Sequence, residues 1–91
     1  MKASTLEMIE GELRKARDKF PKTRHVMNAL TEEVGELAQA LLDQEYEQGK
    51  GRDDLLNEQV RKEAVQVAAM AIRILEEGDT TFPLFDPDWS E

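Results

Sequence analysis

The chain contains no cysteine and a single histidine, His25, among its 91 residues. These absences exclude a disulfide framework, a thiol nucleophile, a zinc-thiolate site and any site that needs two histidines from one chain. No apolar run approaches the about 18 residues that a membrane-spanning helix requires. The opening MKASTLEMIEGEL lacks the apolar segment of a signal peptide. We therefore expect a cytoplasmic protein that does not associate with membranes.

Basic residues are outnumbered, since 12 Lys and Arg stand against 20 Asp and Glu and give a net charge of −8. This charge repels polyanions, so a nucleic-acid polymer is not an expected partner, whereas a divalent cation is. Prolines, glycines and aromatics are also few, while 35% of the residues are charged and 40% hydrophobic. Such a composition is typical of long amphipathic helices. We expect an all-α protein.

Helical periodicity predicts about three helices. The first begins at an S-x-x-E capping box formed by Ser4 and Glu7 and ends before Pro21. A proline can open the next helix, so the second is expected over residues 22–47. The basic face of the first helix is either solvated or holds phosphates, and it consists of Arg14, Lys15, Arg17 and Lys19.

The glycine-containing segment QGKGRD connects the second helix to a third. We expect the third helix over residues 54–77, with Asp53 or Asp54 as its N-cap and Gly78 at its end. A short connection makes the two helices antiparallel neighbours. The three helices therefore predict an antiparallel bundle, with 1–91 as one domain and 79–91 as a C-terminal tail that packs on the domain or on a neighbour.

Residues 64–75 of the third helix are apolar nearly all round apart from Gln66 and Arg73. A chain of this length buries only about 60 to 65% of its unfolded surface, so it offers few partners for such a helix. We expect a homo-oligomer, a homodimer or homotetramer, that completes the bundle by covering the third helix.

Three glutamates of the second helix lie within one turn of each other. Glu33 falls inside the apolar arc of that helix, Glu36 lies at its edge and Glu32 further out. The arc is formed by Val26, Leu30, Val34, Leu37 and Leu41, flanked by Ala29 and Ala40. A charge carried into a packed face is costly unless it is paired or coordinates a metal. Beside the glutamates runs a polar stripe, either exposed or the wall of a polar cleft, of His25, Asn28, Glu32 and Gln39.

Glu63 repeats this anomaly on the third helix. It shares an angular sector with Leu56, Val60, Val67, Met70 and Ile74. At 1.5 Å per residue, Glu33 and Glu36 lie about 18 Å before the connection and Glu63 about 15 Å after it, so an antiparallel pair brings them level. Converging carboxylates with only oxygen ligands favour Mg²⁺ or Mn²⁺. The alternative is a buried salt bridge of Glu33 or Glu63 with Arg73 or Lys62.

These residues resemble the MazG-like all-α nucleoside triphosphate pyrophosphohydrolases, whose pattern is E-E-x-x-E on one helix and E-x-x-D on the next. The first half is intact in the segment EEVGE from Glu32 to Glu36, after KFPKTRHVMNAL and before AQALL. The resemblance covers about residues 16–78. It implies Mg²⁺-dependent cleavage of a nucleoside triphosphate to the monophosphate and pyrophosphate.

The resemblance also implies roles for single residues. Glu33, Glu36 and Glu63 would be metal ligands, and Glu32 would be a further ligand or orient the attacking water. From placement alone, Lys62 and Arg73 are candidates to hold a phosphate.

The second motif departs from the family pattern. It reads Glu63-Ala64-Val65-Gln66, so Gln66 stands where the family has aspartate. A glutamine oxygen can ligate Mg²⁺ but brings no charge. The alternative function is a MazG-like nucleotide-binding module with weak or no turnover, or a helical interaction module.

Overall fold

Three helices make up the part of the chain that the computed structural model describes, residues 1–80. They are α1 (Ala3–Lys19), α2 (Val26–Glu47) and α3 (Asp53–Glu77), and these 80 residues contain no strand. The expectation of an all-α protein is confirmed. None of the three helices is long and apolar enough to cross a membrane. Residues 81–91, most of the expected tail, lie outside the described residues.

Helix α3 occupies the centre of the arrangement. It packs against α2 on one side and α1 on the other, whereas α1 and α2 do not pack against each other. At the α2–α3 connection the Gln44 amide donates a hydrogen bond to Asn57, as expected for antiparallel neighbours. At the far end of α3, Arg17 of α1 reaches Glu76 and Glu77, so α1 runs parallel to α3. An open space therefore remains between α1 and α2 above α3.

The apolar core is small and lies mainly between α1 and α3. Ile9 and Leu13 are buried against Ala69, and Val65, Ala68 and Ile72 complete this contact. Between α2 and α3 the buried apolar side chains are Val26, Ala40 and Leu56.

Two of the expected N-caps are wrong. Ser4 lies inside α1, which begins at Ala3, and no side chain caps this helix. Helix α3 begins at Asp53 and its N-cap position is Arg52, again without a side-chain cap. The Asp53 carboxylate instead accepts a hydrogen bond of 2.8 Å from the Gly49 N–H and so closes the connection. The expected end of α3 at Gly78 is confirmed, and this glycine has the positive φ of 73° that suits it.

Helix α2 begins at Val26, four residues later than expected. His25 has a left-handed backbone, with φ of 60°, and breaks the helical path after Pro21. The Asp79 carboxylate accepts a hydrogen bond of 2.8 Å from the Met27 N–H, and the Thr80 N–H donates to the Thr23 carbonyl at 3.0 Å. A buried carboxylate from 52 residues further along therefore satisfies the first turn of α2.

The packed face of α2 is rotated from the expected arc. Val34 and Leu41 are each 48% exposed, whereas Val26 and Ala40 are buried and Ala29 is half-buried. This rotation places the small side chains of Ala29 and Ala40 toward α3. Glu33 remains within the contact, as the sequence predicts.

Candidate metal centre and adjoining cleft

Three carboxylates from two helices converge on one point between α2 and α3. One carboxylate oxygen each of Glu33, Glu36 and Glu63 lies within 4.8 Å of the other two. Glu63 is only 5% exposed, Glu33 is half-buried and Glu36 is exposed. The structure therefore brings Glu33 and Glu63 together and places both in the packed faces of their helices, as the sequence predicts. The cluster lies at the solvent edge of the helix contact and is open on the side of Glu36.

Two glutamines hold the deeper carboxylates in place. The amide of Gln66, turned so that its nitrogen donates, forms hydrogen bonds of 2.8 Å to Glu33 Oε2 and 2.9 Å to Glu63 Oε2. Gln59 Nε2 donates to the other oxygen, Oε1, of Glu63 at 2.7 Å. Gln66 thus lies at the cluster and links the two helices. Gln59 was not among the predicted site residues, although its position one turn before Glu63 is the signal that could have found it.

Crowding and burial change the acidity of the cluster. Desolvation, followed by the nearby charges of Glu36 and Glu63, raises the pKa of Glu33 from 4.5 to about 7. Burial and a hydrogen bond with Glu36 raise the pKa of Glu63 as well, although Glu33 and Lys62 act in the opposite direction. Without a cation, the cluster therefore retains protons at a pH where an ordinary glutamate is ionised.

The donor set fits a hard divalent cation. Oxygen ligands on opposite sides of Mg²⁺ are about 4.2 Å apart, so carboxylate oxygens within 4.8 Å need only small rotations to meet one ion. Among residues 1–80, no lysine or arginine forms an ion pair with Glu33, Glu36 or Glu63. The described residues therefore do not form the buried salt bridge that was the alternative to a metal site. Glu33, Glu36 and Glu63 can hold the cation, and Gln66 can add an amide oxygen if its amide turns over.

A cleft of about 550 Å³ adjoins the cluster in the space between α1 and α2. Its floor is formed by α3, and Glu33 together with the exposed Glu32 lies on its α2 wall. Lys62, which precedes Glu63, also lines the cleft and is exposed. Glu32 and Lys62 therefore share one open space with Glu33, the member of the carboxylate cluster that lines the cleft, and both can reach a molecule bound there.

Arg73 has a different environment from Lys62. Its side chain is 3% exposed, and its Nε donates to Glu77 at 2.9 Å. Its guanidinium also donates to three main-chain carbonyls at the end of α1, that of Ala16 in the last turn and those of Phe20 and Lys22 beyond it. Arg73 thus satisfies the C-terminal end of α1 and joins it to α3. This structural role was missed in the sequence, because it depends on carbonyl groups more than fifty residues away.

The polar stripe of α2 divides between two environments. His25, Asn28 and Glu32 line a second hollow of about 370 Å³, which shares Phe20, Ala29, Glu32 and Met70 with the cleft. Gln39 lies elsewhere and donates to Asp43 at 2.9 Å on the exposed surface of α2. Three of the four stripe residues therefore form the wall of a polar cleft, and the cleft extends toward the α1–α2 connection.

Comparisons with models of protein families, with curated proteins and with solved structures found no match to the chain.

Proposed function

We propose that the protein is a Mg²⁺-dependent nucleotide pyrophosphohydrolase, which cleaves a nucleoside triphosphate to the monophosphate and pyrophosphate. The observation that carries this proposal is the convergence of Glu33, Glu36 and Glu63 from two helices, without an ion pair to any lysine or arginine in the described part of the chain. The resemblance of EEVGE and of Glu63-Ala64-Val65-Gln66 to the MazG-like motifs supplies the reaction.

The proposed centre uses each residue for a separate task. Glu33, Glu36 and Glu63 would hold Mg²⁺, or Mn²⁺ in its place, and Gln66 would contribute a neutral oxygen. A bound cation neutralises phosphate oxygens and lowers the pKa of a coordinated water. Lys62, exposed in the cleft and next to Glu63, is placed to pair with a phosphate oxygen. We assign Arg73 no phosphate-binding role, because it is buried and bonded to Glu77 and to the end of α1.

Glu32 is the residue that we propose to orient the attacking water. It lies on the cleft wall next to Glu33 and is exposed, so its carboxylate can accept a hydrogen bond from a water in the cleft. The water oxygen forms a bond to one of the two phosphorus atoms that share the α,β-bridging oxygen. At the same time the bond between that phosphorus and the bridging oxygen breaks. The proton of the water passes to Glu32, and the products are a nucleoside monophosphate and pyrophosphate.

Gln66 favours a second candidate function, which is nucleotide binding with weak turnover. Its amide holds Glu33 and Glu63 in the cation-free state and brings no charge of its own. A centre with three carboxylates attracts divalent cations less strongly than one with four, because affinity in oxygen sites follows the charge of the ligands. A helical interaction module without nucleotide binding is the remaining alternative from the sequence.

The proposal includes a homo-oligomer, a homodimer or homotetramer. Along α3 the side chains of Ala64, Ala71 and Leu75 are exposed, although this stretch is the most apolar of the chain. A second subunit that covers this face would remove it from water.

The test is a panel of nucleoside triphosphates incubated with the protein and Mg²⁺, with separate detection of pyrophosphate, orthophosphate and nucleoside monophosphate. We expect pyrophosphate and monophosphate in equal amounts, and loss of both with EDTA. Release of orthophosphate instead would contradict the reaction. Binding of nucleotide without products would favour the second candidate, and binding of neither Mg²⁺ nor nucleotide would favour the interaction module.

A further inference from the structure

We propose that Lys15 and Lys19 of α1 bind the phosphate chain of a nucleotide across the cleft from the carboxylate centre, so that α1 forms the second half of the site. This inference rests on the proposed function and adds the ligand class of the α1 wall, a di- or triphosphate chain that carries a divalent cation. Nothing in the motifs of α2 and α3 assigns a role to these two lysines.

The structure divides the basic face of α1 into two parts. Arg17 forms ion pairs of 2.8 Å with Glu77 and 3.2 Å with Glu76, so it belongs to the contact with the end of α3. Arg14 is exposed and does not line the cleft. Lys15 and Lys19 both line it, and their i, i+4 spacing places them on one wall about 6 Å apart along the helix axis.

Neither lysine is held strongly by the protein. Lys15 has an ion pair of 3.6 Å with Glu12, and its side chain is 79% exposed. The Lys19 ammonium lies 5.4 Å from the centre of the exposed Phe20 ring. Exposed contacts of both kinds are weak, whereas a hydrogen bond from an ammonium to a phosphate is among the stronger ones. Both ammonium groups can therefore turn to a phosphate in the cleft at little cost.

The two walls of the cleft carry opposite charge, which limits what can bind. The α1 wall carries Lys15 and Lys19 together with Glu12, the partner of Lys15, so two positive charges stand against one negative charge. The α2 wall carries only the negative Glu32 and Glu33. A bare anion would be attracted by the first wall and repelled by the second. A cation at the carboxylate centre reverses this repulsion. The ligand that satisfies both walls is a chain of at least two phosphates, with one end on the cation and another on the lysines.

The apolar residues of the cleft suit the remainder of a nucleotide. Ala16, Ala29 and Met70 line the cleft beside the charged residues, with Phe20 at the end near the second hollow. A sugar and base can bury apolar surface there while the phosphates extend toward Lys15 and the cation. An inorganic phosphate would use neither this surface nor the full distance between the walls.

The test measures binding of an α,β-methylene nucleoside triphosphate, which resists cleavage, by calorimetry in Mg²⁺. The variants are Lys15→Gln and Lys19→Gln, and the control is Arg14→Gln, which removes the same charge from α1 outside the cleft. We expect about tenfold weaker binding for each lysine variant and less than about twofold for the control. Circular dichroism should show unchanged helix content, because all three side chains are exposed.

Mg²⁺ binding without nucleotide separates this inference from the proposed function. We expect Mg²⁺ binding to be unchanged in both lysine variants and at least about tenfold weaker in Glu33→Gln. Lysine variants that bind the analogue as well as Arg14→Gln does would overturn the inference and leave the metal centre intact. A parent protein that takes up no Mg²⁺ would contradict the proposed function and, with it, the inference.

Discussion

Gln66 on α3 reaches across the helix contact and, with its amide turned so that the nitrogen faces the carboxylates, donates a hydrogen bond of 2.8 Å to Glu33 on α2. The same amide bonds Glu63, so a neutral group lies at the position where the MazG-like pattern has a negative charge. In the cation-free protein this arrangement relieves the repulsion of the carboxylates. With a cation bound, the amide must present its oxygen instead of its nitrogen, and the protein loses two hydrogen bonds.

Gln66→Asp tests this relationship. In the cation-free protein we expect the free energy of unfolding to fall by about 1 to 3 kcal/mol, because two hydrogen bonds are lost and a further charge enters the cluster. With Mg²⁺ the added charge should tighten cation binding about tenfold. Thermal midpoints with and without Mg²⁺ measure both effects.

The matched control is Gln66→Glu, since aspartate is one methylene shorter than glutamine and can fall out of range of the cation. If neither acidic variant gains more stability from Mg²⁺ than the parent does, Gln66 does not contribute to the centre. The correspondence with the second family motif is then wrong.

The cation-free protein should lose stability as the pH rises. The folded pKa of Glu33, about 7, lies above its ordinary 4.5, so the folded state binds this proton more tightly than the unfolded state does. The contribution of this proton to the free energy of unfolding is fully present below about pH 4.5 and is lost as the pH rises through about 7. Glu63, whose pKa is also raised, acts in the same direction. Urea unfolding in EDTA at about pH 5 and pH 8 measures this difference.

Mg²⁺ should restore part of the stability that the cation-free protein loses as the pH rises. Protons and the cation compete for the same oxygens, so stabilisation by Mg²⁺ should be small near pH 5 and large near pH 8. Glu33→Gln is the control, and it should weaken both the pH dependence and the Mg²⁺ effect. A parent protein with the same pH dependence as Glu33→Gln would show that Glu33 does not titrate in the predicted range.

Arg73→Met should destabilise the protein by about 3 kcal/mol. The substitution removes the buried donor to Glu77 and to the carbonyls at the end of α1, whereas an apolar side chain of similar length is retained. Arg17→Gln, which breaks more exposed ion pairs with Glu76 and Glu77, should cost less than about 1 kcal/mol. Denaturant unfolding compares the two. Equal stability of both variants, together with weaker nucleotide binding in Arg73→Met, would instead return Arg73 to a phosphate-binding role.

The exposed apolar face of α3 predicts that the protein forms at least a dimer. Light scattering at micromolar concentration should show a mass of two or four chains. Ala71→Glu places a charge in the middle of that face and should shift the mass toward one chain, whereas Ala3→Glu, exposed at the start of α1, should not. A stable monomer of the parent protein would refute the oligomer.

The local features of the chain were largely predictable from the sequence. Periodicity gives the three helices, and the short connection at Gly49 makes α2 and α3 antiparallel. Equal distances from that connection then bring Glu33 level with Glu63. These arguments need only helix geometry and contacts between neighbouring elements.

The features that were missed depend on contacts between distant residues. Asp79 accepts a hydrogen bond from the first turn of α2, which begins at Val26, and the buried Arg73 donates to carbonyls at the end of α1. The rotation that leaves Val34 exposed and buries Ala40 depends on the packing of α2 on α3. None of these contacts has a periodic signal in the sequence, and each requires the fold to be known.

The most direct test of the account is a Mn²⁺ titration followed by electron paramagnetic resonance, in which bound Mn²⁺ loses the signal of the free ion. The parent protein should take up Mn²⁺ near pH 8 and release it to excess Mg²⁺. Glu33→Gln and Glu63→Gln should bind at least about tenfold more weakly while remaining folded, and Glu10→Gln, an exposed control on α1, should bind like the parent. Equal Mn²⁺ binding in all four proteins, or none in the parent, would contradict a metal centre at Glu33, Glu36 and Glu63.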